Sequence, residues 1–209
     1  MTSPSLIATA HLDRVRALMA RGPRVILGLV GGPGSGKSTL AAALHAAFPD
    51  DSVVVPMDGY HLANSELARL GRASRKGAPD TFDSAGYVAL LRRLREPRAG
   101  DVVHAPEYRR EIEEGIAGAI AVPAETRLVI TEGNYLLLPT GPWADVAACL
   151  DEAWYVEVDP DLRRERLVRR HMQFGRSHAE AVAWVASTDE PNAQLIDLHK
   201  GRAQHTFRW

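Results

Sequence analysis

The sequence predicts an α/β fold, a parallel sheet covered on both faces by helices. Three observations predict it. Short, continuous apolar runs rich in Val and Ile recur at 24–30 (RVILGLV), 52–56 (SVVVP), 127–131 (RLVIT) and 153–158 (AWYVEV), and strands buried on both faces read this way. Between them, 37–48, 84–96 and 161–173 have helix-forming composition, with Pro49, Pro97 and Gly175 just past their ends. The third is the overall balance: 45% hydrophobic and 24% charged residues over 209 positions suit one globular domain, 1–209, with a full core.

Taken in order, residues 5–20 form an amphipathic helix. Its apolar Leu6, Ile7, Ala10, Leu18 and Met19 are interrupted by His11, Asp13, Arg14 and Arg16, a mixture that excludes a signal peptide or a membrane span. The strand 24–30 runs into a glycine-rich turn and then the helix 37–48. The strand 52–56 leads to PMDGYH, and LGRASRKGAPDTFD (70–83) mixes Gly, Pro and charge as a functional loop does. After the helix 84–96, residues 101–122 carry Val and Ile runs around Pro106 and read as a small hairpin beside the main sheet. The strands 127–131 and 153–158 and the helix 161–173 complete the alternation.

Charge and cysteine content narrow the partners. With 25 Lys and Arg against 26 Asp and Glu, the formal net charge is -1, so no global field draws the chain to nucleic acid or an anionic membrane. Cys149 is the single cysteine; it has no partner for a disulfide and fits a cytoplasmic location. Composition is compatible with a monomer or a homodimer.

The chemistry concentrates in VGGPGSGKSTL (30–40). Gly31, Gly36, Lys37 and Ser38 satisfy G-x-x-x-x-G-K-[ST], after an apolar strand and before a helix. Gly32, Gly34, Ser35 and Gly36 turn backbone N–H groups inward, the helix presents its positive end, and Lys37 adds an ammonium, which together make a socket for a triphosphate. Ser38 places its hydroxyl on Mg²⁺, and Thr39 serves helix packing or an α-phosphate contact. The strand 127–131 delivers Glu132 to its carboxyl end, where ligands of open α/β sheets bind and an acid can hold the Mg²⁺.

Asp58, at the corresponding end of the second strand, is placed either to orient and deprotonate an attacking hydroxyl or, with Gly59, simply to make a turn. Arg163, Arg166 and Arg170 fall on one helical face, with Arg169 one turn after Arg166, an arrangement that suits either a lid over phosphates or a solvated face on which Glu165 pairs with Arg169. The Arg run lacks interleaved aromatics and so does not read as a nucleic-acid patch. His61, His104, His171 and His199 are scattered without metal-ligand spacing. DSAG (83–86) fits the D-x-x-G of a nucleotide switch, but it follows a polar loop and no N-K-x-D accompanies it. A regulatory ATPase or GTPase without a small acceptor is the alternative reading.

With these pieces in order, the chain resembles, from about Arg24 onward, the uridine kinase, phosphoribulokinase and pantothenate kinase group of P-loop kinases. Within it, PMDGYHL, RKGAPDTFD, TEGNYLLL and ERLVRRHMQFGRS look most like the small bacterial proteins labelled nucleoside/nucleotide kinase-like or fructose transport system kinase. The resemblance implies a P-loop three-layer sandwich with a helical lid over about 161–186, and ATP and Mg²⁺ as cofactors. It implies transfer of the γ-phosphoryl group to a hydroxyl of a sugar, nucleoside or pantothenate-like acceptor. Asp58 becomes the catalytic acid, with Lys37 and Arg169 also catalytic. Tyr60, His61, Arg75, Lys76 and Asp83 border the acceptor, Arg169 and Arg170 belong to the lid, and Asn192 meets substrate or nucleotide. One departure is the stretch 198–209, LHKGRAQHTFRW, where the family usually has a TRARAD-like run.

Overall fold

A computed structural model describes residues 7–209. The N-terminal helix α1 spans Thr9–Met19, shorter than the sequence suggests; positions 5 and 6 of that expectation lie outside the described residues. Strands β1 (Val25–Val30), β2 (Ser52–Pro56), β5 (Leu128–Gly133), β6 (Glu152–Glu157) and β7 (His205–Arg208) form one parallel sheet in the order β2-β5-β1-β6-β7. β3 (Val102–Arg109) and β4 (Glu114–Pro123) form the separate antiparallel hairpin, with a register shift at Pro106. Proline has no N–H to give to a ladder, so the shift falls where the ladder is already broken.

β1 shows why the runs read as doubly buried. All six of its residues are buried; Leu27 and Leu29 face one core cluster, Ile26 and Val30 the other. The first face is covered by α1 and by α2 (Lys37–Ala47) through Val15, Leu18, Leu40 and Leu44. The second is covered by α4 (Ser84–Arg95) through Tyr87, Leu91 and Leu94, with Tyr135 and Trp143 beside them. Burying each such side chain contributes about 1.5–3 kcal/mol. The remaining helices are α3 (Asn64–Arg69), α5 (Pro160–Gln173), α6 (His178–Trp184) and α7 (Glu190–Asp197), with a π-helical turn at Val185–Asp189 joining the last two. Among the described residues, no helix is long and apolar enough to cross a membrane.

Helix starts differ in a way that matters for function. Asp83 caps α4 by accepting from the Gly86 N–H at 2.8 Å, Asp159 caps α5, and Ser177 and Glu180 form a capping box on α6. The DSAG run is thus a helix cap at the far end of a polar loop. Like α1, α3 and α7, α2 has no side-chain cap, but it begins on Gly36 at the end of the glycine-rich loop, where its first N–H groups can meet an anion.

Candidate active site

Because the sheet is parallel, β1, β2 and β5 end on one edge, and their following residues converge there. Gly34 and Gly36 both have positive φ, +78° and +89°. A Cβ on Gly36 would lie 2.6 Å from Nε1 of Trp209; only glycine permits both that backbone conformation and that approach. A cavity of about 750 Å³ opens over this loop.

Lys37 enters the cavity from the first turn of α2. It is buried, and its ammonium donates to the carbonyls of Gly31 (2.9 Å) and Gly32 (3.1 Å) and to Oδ1 of Asn134 (2.9 Å). Burial lowers its pKa, opposed by the charges of Glu132 and Asp58. Glu132 lies in β5 level with Leu29 of β1 and Pro56 of β2. It is buried, and its Oε1 accepts from the Ser38 hydroxyl at 2.8 Å. Burial raises its pKa, as does neighbouring Asp58.

Asp58 sits in the 3-10 turn Met57–Tyr60 that follows β2. Its side chain is 30% exposed, enough to reach a ligand, and the Arg110 guanidinium of the hairpin stands 3.6 Å away. The hairpin leans directly on this turn: a Cβ on Gly59 would lie 2.3 Å from the Pro106 carbonyl oxygen. The His61 Nδ1–H donates to the Asp58 carbonyl at 2.8 Å, and the ring packs on Phe82 and Tyr108. Burial lowers the His61 pKa. Lys76 bonds Asn64 and the Glu113 carbonyl and lies over Tyr108, tying the 58–83 segment to the hairpin turn.

Of the residues expected at the site, the cavity brings together Gly34, Gly36, Lys37, Ser38, Thr39, Asp58, His61, Lys76, Glu132, Arg170 and Asn192. Thr39 is exposed toward it, so the helix-packing role does not apply. Gly32 and Ser35, within the same loop, border a second cavity instead. Tyr60 packs against Tyr87 instead, and burial pushes its hydroxyl up to about 12. Arg75 is exposed and paired with Asp80, and Asp83 is the helix cap already described.

The arginine run divides. Arg163 is buried under the loop, bonding the Pro33 carbonyl and Glu190; this first turn of α5 is an anchor. Arg166 and Arg170 line the cavity, and Arg170's pKa is lowered by burial and by Arg110. Arg169 points outward to Glu165 and does not line the cavity, because it sits about 100° around the helix from Arg170. Residues unforeseen from the sequence also line the cavity: Asn134, Tyr108, Arg110, Trp209, and the His171–Asp189 pair, bonded at 2.8 Å. Asn134 stood within TEGNY, two positions after Glu132, and Arg110 within the charged tip between the two apolar runs of the hairpin.

Residues 26–204 match the model of the phosphoribulokinase/uridine kinase family. The chain belongs to that family. The resemblance drawn from the motifs therefore holds, and the chain is a kinase of the small-molecule type. A Schizosaccharomyces pombe relative ascribed uridine kinase activity is 35% identical over 196 residues, covering 88% of this chain and 83% of the relative. A pantothenate kinase from Limosilactobacillus reuteri is 35% identical over 190 residues, covering 88% of this chain and 58% of that protein. Among solved structures, a Silicibacter sp. TM1040 protein ascribed the role of fructose transport system kinase superposes with a TM-score of 0.86 at 38% identity, covering 96% of this chain and 99% of that one. Phosphoribulokinase from Rhodobacter spheroides shares the fold, with a TM-score of 0.55 at 12% identity over 83% of this chain and 68% of that one.

Proposed function

We propose that the protein transfers the γ-phosphoryl group of ATP to a hydroxyl of a small, negatively charged metabolite. The observation that carries this is the meeting of Lys37, Ser38, Glu132 and Asp58 in one cavity over an uncapped helix start. The uncapped N–H groups and Lys37 suit the polyphosphate. Ser38 Oγ and Glu132 Oε1, 2.8 Å apart, are hard oxygen donors of the kind Mg²⁺ takes, one carboxylate and one hydroxyl beside substrate phosphates. When bound there, Mg²⁺ would neutralise charge on the phosphate oxygens.

Asp58 accepts the proton of the acceptor hydroxyl as its oxygen forms the new bond to phosphorus. The bond from phosphorus to the bridging oxygen breaks, and ADP leaves with that electron pair. Lys37 and Arg170 offset the charge that gathers on the transferring group. The segment 161–186 acts as the lid, with α5 anchored at Arg163 and facing the ligand through Arg166 and Arg170. The acceptor end of the cavity is bordered by His61, Lys76, Tyr108 and Arg110. Two cations there favour an acceptor bearing a carboxylate or phosphate as well as the reacting hydroxyl.

ADP release with ATP and a panel of uridine, pantothenate, fructose and sugar acids tests this. Release stimulated by pantothenate or a sugar acid is the expected result; stimulation by uridine or fructose alone would overturn the charged-acceptor reading. Asp58→Asn lowers that release by about 10²–10⁴-fold while the nucleotide still binds. Turnover undiminished in Asp58→Asn removes Asp58 from the chemistry.

A further inference from the structure

The strand order makes the cavity asymmetric. The loop 31–36 follows β1 at the centre of the sheet, and both carboxylates, Glu132 on β5 and Asp58 after β2, lie on one side of it. A triphosphate whose reacting end faces those carboxylates has its other end directed across the loop, toward β6 and β7. Neighbouring strands are about 4.8 Å apart, so β7 stands two strand spacings from β1, within the length of a nucleotide.

The residue following β7 is Trp209. Its backbone N–H closes the ladder on the Glu157 carbonyl at 3.4 Å, and its ring meets Phe207 edge-on at 5.1 Å. The indole edge rests on Gly36, yet 38% of the residue stays exposed, and it lines the same cavity as Lys37 and Ser38. Trp154 and Trp143, by comparison, are buried in the core. A large aromatic held in place by its neighbours, left partly bare and set at the non-reacting end of a polyphosphate socket offers a surface for a flat ligand.

We propose that Trp209 is the stacking platform for the nucleobase of the phosphoryl donor, which makes it a binding residue for nucleoside triphosphates. This rests on the reading that the loop 31–38 holds the donor's phosphates. Stacking on an aromatic face accounts for about ten- to a hundredfold in affinity per base.

Calorimetry with ATP and with inorganic tripolyphosphate, both with magnesium, separates the two levels. In the full chain, Trp209→Leu weakens ATP by about ten- to a hundredfold and leaves tripolyphosphate within about twofold, whereas Trp209→Phe keeps most of the ATP affinity. Should the leucine variant fail to fold, Trp209→Met, unbranched along its whole side chain and equally without a flat ring, gives the same readout. Unchanged ATP affinity overturns the proposal. Equal losses for both ligands also overturn it, since Trp209 would then act on the loop through Gly36 and not on the base. A wild-type protein that binds neither ligand overturns the underlying donor-site assignment instead.

Discussion

The two halves of the cavity are built on different foundations. The half proposed to hold the donor stands on strand ends: the loop after β1, Glu132 in β5 and the uncapped start of α2 are fixed by a sheet whose central strand is buried throughout. The acceptor half stands outside that sheet, on the hairpin, the 58–83 segment and the helices that follow β6. The turn at Asp58 belongs to both, joined to β2 on one side and pressed by Pro106 on the other. A half fixed by the sheet suits the proposed phosphoryl donor, and a half built on appended elements suits the proposed acceptor.

Substitutions should therefore separate along this division. The largest effect is expected for Lys37→Ala, a loss of about 10²–10³-fold in kcat/KM together with weaker nucleotide binding in calorimetry. If nucleotide affinity is untouched and only the acceptor KM rises, the division is wrong. Arg110→Ala should do the opposite, raising the acceptor KM by about ten- to a hundredfold, as expected for a hydrogen bond to a charged group, with the nucleotide KM unchanged in steady-state assays. A rise in the nucleotide KM alone would move the hairpin to the donor side.

A smaller effect tests the packing of the acceptor half. Burial lowers the pKa of His61, so the unfolded chain binds a proton there at a higher pH than the folded one. Stability from this group is present above its ordinary value of about 6.5 and is lost as pH falls below it. Thermal melts at pH 7.5 and 5.5 should show this acid loss in wild type and less of it in His61→Phe; identical slopes would deny His61 the role. The smallest effect is expected for Arg169→Ala, under about twofold in kcat/KM, since Arg169 does not line the cavity and its exposed pair with Glu165 is of a kind that contributes little. A hundredfold loss would return Arg169 to the chemistry.

The same division explains what was legible in the sequence. Lys37, Ser38, Glu132 and Asp58 follow apolar runs, and a parallel sheet brings all such ends to one edge, so strand and motif together located them. Tyr60, Arg75 and Asp83 were placed by resemblance within a loop, where direction is set by local partners: Tyr87 draws in Tyr60, Asp80 pairs Arg75, and Gly86 engages Asp83. Helical spacing correctly grouped Arg166 with Arg170, but it could not say that Glu190 and the Pro33 carbonyl would bury Arg163. Arg110 and Trp209 reach the cavity through contacts between segments far apart in the chain, which no local pattern encodes.

The contact of Pro106 on Gly59 has a consequence for anyone wishing to retarget this enzyme. The hairpin proposed to shape the acceptor pocket braces Gly59, the neighbour of the proposed proton acceptor Asp58, so grafting a foreign hairpin should shift Asp58 along with the pocket. Compensating changes would then be needed around positions 57–60 before a redesigned specificity could turn over at a useful speed.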